Sequence, residues 1–385
     1  MNSTKLNTIK KVLDDAVSKS LIAGANILIF QDGKEQYYCE SGFADIEKQK
    51  PIERNSIFHL YSMTKPITSA AAMILLERGL IDLLDPVSNY IPSFKDTKIW
   101  NGENFVTPKN EITLKNLLGM VSGLPYGDTS SSHPVLKRVG EVFDDSSLTT
   151  LQFADQIAKC GILFEPGSSF AYGTSSDIMG AVIEVVSGMK FSEFLQKEIF
   201  EPLNMQDTGF WIPTEKADRL SQIYRCQDGT TKLYTDNHLD INNKPFSPPL
   251  FESGGAGLLS TIDDYMKFAN MLLNHGLTHN GCSILSKKTV EYFTSPQLSP
   301  RQFKALEDWQ GLAGYSYGNF MRVMVDPGQA VLNGSVGEYG WDGWLGTYHC
   351  NSPKDNLSFI LMMQKVDAGT DAVTRRIRNI CMSSL

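Results

Sequence analysis

Cysteine is scarce in this chain. Six of 385 residues are cysteine (39, 160, 226, 282, 350 and 381), and no two form a C-x-x-C pair. That spacing argues against a disulfide framework and fits reduced thiols. Basic tracts are missing too. Lys and Arg number 35 against 43 Asp and Glu, for a net charge of −8, so no nucleic-acid partner is expected. No apolar run approaches membrane-spanning length, and no membrane partner is expected. The start, Met1-Asn2-Ser3-Thr4-Lys5-Leu6, lacks the apolar core of a signal peptide. Together with the thiols, this sets a cytoplasmic location as the expectation. There is no Walker loop, and Gly255-Ala256-Gly257 lacks the third glycine of a dinucleotide fingerprint, so no cofactor is expected. His275, His279 and Cys282 sit among asparagines and around Gly276, which suits a helix-ending loop rather than a metal site. No G-x-S-x-G elbow occurs, which argues against the α/β-hydrolase arrangement.

What the chain does have is enough apolar residue, 42%, for a large core. Leu6, Ile9, Leu13 and Val17 form one stripe of a helix over about 4–19. Residues 23–30 and 36–41 predict a hairpin across Gln31-Asp32-Gly33-Lys34. The stretch 61–200 is mostly helical in pattern. Short strands and a long loop through Asn242-Asn243-Lys244-Pro245 are expected over 221–258, then a helix over 263–274. Strand-like runs return at 317–325, 339–350 and 357–364, before a last helix near 371–381. Strands at both ends and helices between them predict an α/β (α+β) fold. Residues 1–60 and 205–385 would form a discontinuous sheet domain, and 61–204 a helical lobe, with a site at the junction.

The strongest chemical signal is Ser62-Met63-Thr64-Lys65, delivered by Phe58-His59-Leu60-Tyr61. On a helix, positions three apart share a face, so the Lys65 amine can stand beside the Ser62 hydroxyl. A serine hydroxyl is a weak nucleophile until a neighbouring base takes its proton, and a lysine of lowered pKa can do so. The same pattern recurs at Ser187-Gly188-Met189-Lys190. That copy straddles a glycine after a largely apolar run, as a helix C-terminus would. After Lys65, by contrast, Ile67, Ala70, Ala71, Ile74 and Leu75 continue at helical spacing up to Gly79.

Three further segments give the motif a context. Phe164-Glu165-Pro166-Gly167-Ser168-Ser169-Phe170-Ala171-Tyr172-Gly173-Thr174 resembles the tyrosine motif of class C β-lactamases and the esterases similar to them. Leu117-Leu118-Gly119-Met120-Val121-Ser122-Gly123-Leu124 is similar to that family's L-L-x-x-x-S-G-L turn. Gly254-Gly255-Ala256-Gly257-Leu258-Leu259-Ser260-Thr261-Ile262-Asp263-Asp264 is similar to its G-G-x-G-L-x-S-T segment. The chain therefore resembles the serine β-lactamase/penicillin-binding-protein superfamily over roughly 10–380, whose S-x-x-K motif is well known.

The resemblance implies a β-lactamase/transpeptidase-like fold, an antiparallel sheet flanked by terminal helices with an inserted helical lobe. It implies Ser62 as acylated nucleophile, Lys65 as the group that poises its hydroxyl and Tyr172 as proton shuttle, a phenol that needs a close ammonium such as Lys65 to serve as a base. Trp341-Asp342-Gly343 stands where the family's third motif lies, which places the oxyanion hole at the backbone N–H groups of Ser62 and Trp344. The glycine spacing there is expected to bare the backbone for substrate. Glu165 is given a structural role.

Two departures narrow the expectation. No cation occupies Trp341 to Gly343, which removes a charge-assisted bond to a substrate carboxylate, roughly 1.5–3 kcal/mol. Asp342 would repel such a group. Thr174 stands where the family's tyrosine motif usually carries asparagine. Trp341, Trp344, Tyr126 and Tyr61 suggest an aromatic pocket. Hence the expected activity is that of a serine hydrolase acting through an acyl-enzyme on small carboxylic esters, with weak β-lactam hydrolysis alongside. Its expected partner is a small-molecule ester or amide substrate. One rival is a true β-lactamase or a D-Ala-D-Ala carboxypeptidase, which the missing signal peptide weakens. The other is a non-catalytic binding or assembly protein, against which the joint retention of Ser62, Lys65 and Tyr172 argues.

Overall fold

A computed structural model describes the chain apart from residues 242–244, 308 and 310 and the side chain of Glu307. The middle of the expected loop through Asn242-Asn243-Lys244 therefore lies outside the described residues. The frame is an antiparallel sheet of eight strands built from both ends of the chain. From the N-terminal part come β1 (Gly24–Gln31), β2 (Lys34–Asp45) and β3 (Lys50–Pro51). From the C-terminal part come β4 (Tyr315–Tyr317), β5 (Arg322–Met324), β6 (Tyr339–Gly340), β7 (Tyr348–Ser352) and β8 (Leu357–Met363). They lie in the order β4-β5-β6-β7-β8-β1-β2-β3. The centre is β1 against β8, in register from Ala25 opposite Met363 to Gln31 opposite Leu357.

Alternation along these central strands divides the core. Ile27, Ile29, Phe359 and Leu361 face the terminal helices α1 (Ser3–Ser18) and, at the other end of the chain, Ala372–Ser383. Leu28, Ile360 and Met362 face the larger core that takes in the central helices. Along α1 the buried stripe is Leu6, Ile9, Leu13 and Ala16; Val17, expected in the stripe, is only half-buried. On the opposite side of the sheet, three helices matter for the site. These are α2 (Thr64–Glu77), α3 (Ser175–Ser187) and α4 (Ile262–Leu273). The C-terminal helix Ala372–Ser383 is α5. The loop that carries His275, His279 and Cys282 follows α4, as the sequence suggests.

Two expected strands are each interrupted. The run 317–325 turns at Phe320, where φ is +57°, to make β4 and β5. The run 339–350 is β6, a bend, then β7, with Gly340 and Gly346 at φ +156° and +86°. Continuous β-like composition concealed both bends, because the left-handed residues that make them punctuate otherwise apolar, aromatic segments. Among the described residues no helix is long and apolar enough to cross a membrane. All six cysteines are free thiols.

Candidate active site

Ser62 does not open a regular α-helix. It lies in a 3₁₀ turn, Tyr61–Met63, that runs straight into α2. Tyr61 holds φ at +48°, an uncommon conformation for a residue with a side chain. Its surroundings enforce it: the ring is buried with Ile223, Ala256 and Leu345, and lies 5.1 Å from the Trp344 ring. The chain on either side is fastened as well. Phe58 and His59 pair with Ser260 and Leu259 of the glycine-rich segment. Leu60 N–H donates to the Leu258 carbonyl at 2.9 Å, and the Thr347 hydroxyl donates to the Leu60 carbonyl at 2.9 Å. The Tyr265 hydroxyl of α4 donates to the Met63 carbonyl at 2.9 Å. Ser62 is thus clamped between the β6–β7 bend and the glycine-rich segment.

Lys65 follows on α2 and is fully buried. Its ammonium donates to three acceptors: Ser62 Oγ at 3.2 Å, the Tyr126 hydroxyl at 2.9 Å and the Gly255 carbonyl at 2.8 Å. Burial drives its pKa from 10.5 down to about 7, a fall only partly offset by the carboxylates Asp177 and Asp342. The Tyr172 ring lies under the same nitrogen, 4.6 Å from centroid to Nζ.

Tyr172 and Tyr126 arrive together because their loops cross. Ala171 N–H donates to the Met120 carbonyl at 2.9 Å, and Gly173 is a glycine because a Cβ there would stand 2.1 Å from the Leu124 carbonyl oxygen. The rings meet edge-on at 5.7 Å. The Tyr172 hydroxyl accepts from Trp341 Nε1 at 2.9 Å and is hydrogen-bonded to the Ser62 side chain. Burial holds this phenol above its ordinary range, outweighing those two bonds. The phenolate suggested by the sequence reading is therefore disfavoured: the Lys65 ammonium bonds to Tyr126, not to Tyr172.

The remaining expected residues divide. Trp341, Asp342 and Trp344 line a cleft of about 730 Å³ that opens over Ser62 and Tyr172. Tyr126 is part of the lysine cluster and does not line this cleft. Thr174 caps α3, is fully buried and does not line it either. Gly343 also stands back. A Cβ there would come within 2.3 Å of the Leu60 oxygen, so this glycine lets the β6–β7 bend approach the nucleophile's own segment. The expected bare backbone serves packing at this position. Trp344 N–H donates no hydrogen bond among the described residues, whereas Gly343 N–H is used by the Thr347 carbonyl at 2.7 Å. Glu165 accepts from the backbone N–H groups of Lys109 and Asn110, a structural part. Ser187 ends α3 and Gly188 follows at φ +68°, so the second S-x-x-K match is a helix terminus.

Several residues escaped the sequence reading. Trp309, Leu312, Val331 and Leu332 form an apolar wall of the cleft, and Asp367, Thr370 and Arg375 line it too. Arg322 pairs with Asp342 at 2.8 Å. None of these has a local signature, since they come together from the loops around Trp309, Val331 and Asp367, from β5 and from α5.

The chain is 27% identical to Protein Rv1367c of Mycobacterium tuberculosis over 98% of its own length and 94% of the relative. It is 25% identical to Esterase EstB of Burkholderia gladioli, covering 87% and 84%. The solved structure of EstCE1, a hydrolase with promiscuous acyltransferase activity, superposes with a TM-score of 0.86 at 25% identity, over 98% of this chain and 99% of that one. The fold is thus the expected β-lactamase/transpeptidase-like one, and its relatives hydrolyse or transfer acyl groups. With the Beta-lactamase family profile matching residues 9–380, this chain belongs to the Beta-lactamase family.

Proposed function

We propose that this protein is a serine hydrolase that cleaves small carboxylic esters through an acyl-enzyme on Ser62. The observation that carries the proposal is the buried Lys65 amine, 3.2 Å from Ser62 Oγ and shifted to about 7. Near neutral pH a large share of it is uncharged and able to accept the serine proton. The Ser62 oxygen then attacks the ester carbonyl. The backbone N–H groups of Ser62 and Trp344 hold the oxyanion. As the C–O bond to the alcohol breaks, Lys65 Nζ, beside Ser62 Oγ, returns the proton to the departing oxygen, and the Tyr172 hydroxyl, oriented by Trp341 Nε1, donates a hydrogen bond to that oxygen. Water repeats the sequence on the acyl-enzyme and restores Ser62.

The preference for neutral esters rests on charge. Arg322 is already engaged by Asp342 and by the His349 carbonyl. Arg375 donates to the Thr370 carbonyl, and Asp342, Asp367 and Asp371 line the same cleft, so its charged lining is mainly acidic and does not favour a carboxylate. The rest of the wall is largely aromatic and aliphatic, suited to an apolar acyl or alcohol group. β-Lactams, which need a carboxylate anchor, are expected to be poor substrates.

The test compares p-nitrophenyl esters of graded chain length with a chromogenic cephalosporin, using wild type and Ser62→Ala. Ester turnover lost in the variant, with a fluorophosphonate attached to Ser62 in the wild type, supports the assignment. Turnover that survives the substitution removes Ser62 as nucleophile, and faster cephalosporin than ester cleavage removes the ester preference.

A further inference from the structure

Behind Lys65, away from the cleft, lies a carboxylate that the catalytic sequence above does not use. Asp177 sits in the first turn of α3, 1% exposed. Its Oδ1 accepts from the Ser253 hydroxyl at 2.5 Å and from the Gly255 N–H at 3.0 Å, while its Oδ2 has no partner among the described residues. Gly255 also offers its own carbonyl to Lys65 Nζ at 2.8 Å. One residue therefore stands between the carboxylate and the amine, its N–H on Asp177 and its C=O on Lys65. A Cβ at 255 would lie 2.8 Å from Asp177 Oδ2 and 2.9 Å from Ser176 Oγ, so a larger residue would displace the carboxylate.

We propose that Asp177 is a positioning residue that acts on Lys65 through the backbone of Gly255. Resting on the reading of Ser62 and Lys65 given above, the inference assigns it two effects. The hydrogen bond to Gly255 N–H aims the carbonyl at Lys65, so the amine stays beside Ser62. The negative charge opposes the desolvation that would otherwise drive the amine still lower. A buried amine with no counter-charge is neutral over a wider pH range but is a weaker base. Burial raises the Asp177 carboxyl above its ordinary range, countered first by Lys65 and then by its bonds to Ser253 and Gly255, and the helix N-terminus favours its ionised form. The other groups facing Lys65 are Ser62, the two phenols Tyr126 and Tyr172, both held un-ionised by burial, and Asp342, which is balanced by Arg322.

The experiment follows the rate of Ser62 labelling by a fluorophosphonate from pH 5 to 9 in wild type and Asp177→Asn. Asparagine keeps an acceptor for Gly255 N–H and Ser253 but removes the charge. The labelling midpoint is expected to fall by about one pH unit, raising the rate at pH 5.5 relative to its plateau by roughly tenfold, while the plateau itself declines. A merely structural role would slow labelling at every pH and leave the midpoint in place, and that result overturns the inference. If Asp177→Asn does not fold, as judged by circular dichroism, Asp177→Ser takes the same test with the same two outcomes. Labelling of wild type with an unmoved midpoint in the variant defeats only this inference. A wild type that takes no label defeats the nucleophile assignment and this inference with it.

Discussion

Asp342 and Arg322 form an ion pair at 2.8 Å, with the Arg322 side chain 4% exposed beneath the cleft. Arg322 reaches it from β5, whose register sets Arg322 opposite Gly340 on β6. The carboxylate that the sequence offers as a repulsive charge is thus neutralised from the next strand. Replacing Asp342 by Ala leaves a guanidinium buried without its counter-ion. The expected cost is about 3 kcal/mol, read as a lower midpoint in urea unfolding. Unchanged stability would mean that the His349 carbonyl and the Tyr348 ring, 4.5 Å from the guanidinium, hold the charge unaided.

Lys65 sets the pH dependence. The reactive form is the neutral amine, and the folded pKa is about 7. Acylation should therefore rise with pH through about 7, fall roughly tenfold per unit well below it, and level off above. Stability follows the same sign. The folded pKa lies below the ordinary 10.5, so between about 7 and 10.5 the unfolded chain binds more protons and this group's contribution to stability grows as pH rises. Stopped-flow acylation by a p-nitrophenyl ester measures the first effect. A rate independent of pH from 5 to 9 is incompatible with Lys65 as base.

Trp341 orients Tyr172 through one hydrogen bond of 2.9 Å. Phenylalanine at 341 keeps an aromatic wall and loses the donor. The expected result is a fall of about tenfold in kcat with KM changed less than twofold, since the bond acts on a proton transfer rather than on substrate binding. A rise in KM alone would recast Trp341 as a substrate contact.

Gly343→Ala tests the packing of the β6–β7 bend on the nucleophile's segment. The new methyl meets Thr347 Oγ1 at 2.2 Å and the Leu60 oxygen at 2.3 Å, and the latter is backbone that cannot rotate away. A loss of more than about 2 kcal/mol of stability is expected, together with reduced Ser62 labelling, because relief requires Leu60 or the bend to move. A variant as stable and as active as wild type would falsify the close approach.

Much of this arrangement was legible in the chain. The S-x-x-K spacing, the tyrosine motif and the glycine-rich segment do bring Ser62, Lys65 and Tyr172 together. Gly188 does terminate the helix that carries the second S-x-x-K copy. What stayed hidden is non-local. Gly255 contributes a carbonyl, which every residue possesses. Arg322 looks like any strand arginine until β5 pairs with β6. Tyr126 resembled a wall aromatic, and only the crossing of its loop with that of Tyr172 puts its hydroxyl on Lys65. The bends at Gly340 and Gly346 were masked by aromatic composition, because a left-handed glycine in a strand-like run leaves no trace in hydropathy.

The three acceptors around Lys65 have a consequence for timing. As an ammonium, Lys65 has one proton for each of Ser62, Tyr126 and Gly255. As an amine it has two protons and one lone pair, and that lone pair must meet a hydroxyl, since a carbonyl has nothing to donate. Only Ser62 and Tyr126 qualify. Readiness to attack is therefore a contest between two hydroxyl rotors for a single vacancy, decided by orientation after the proton has already left.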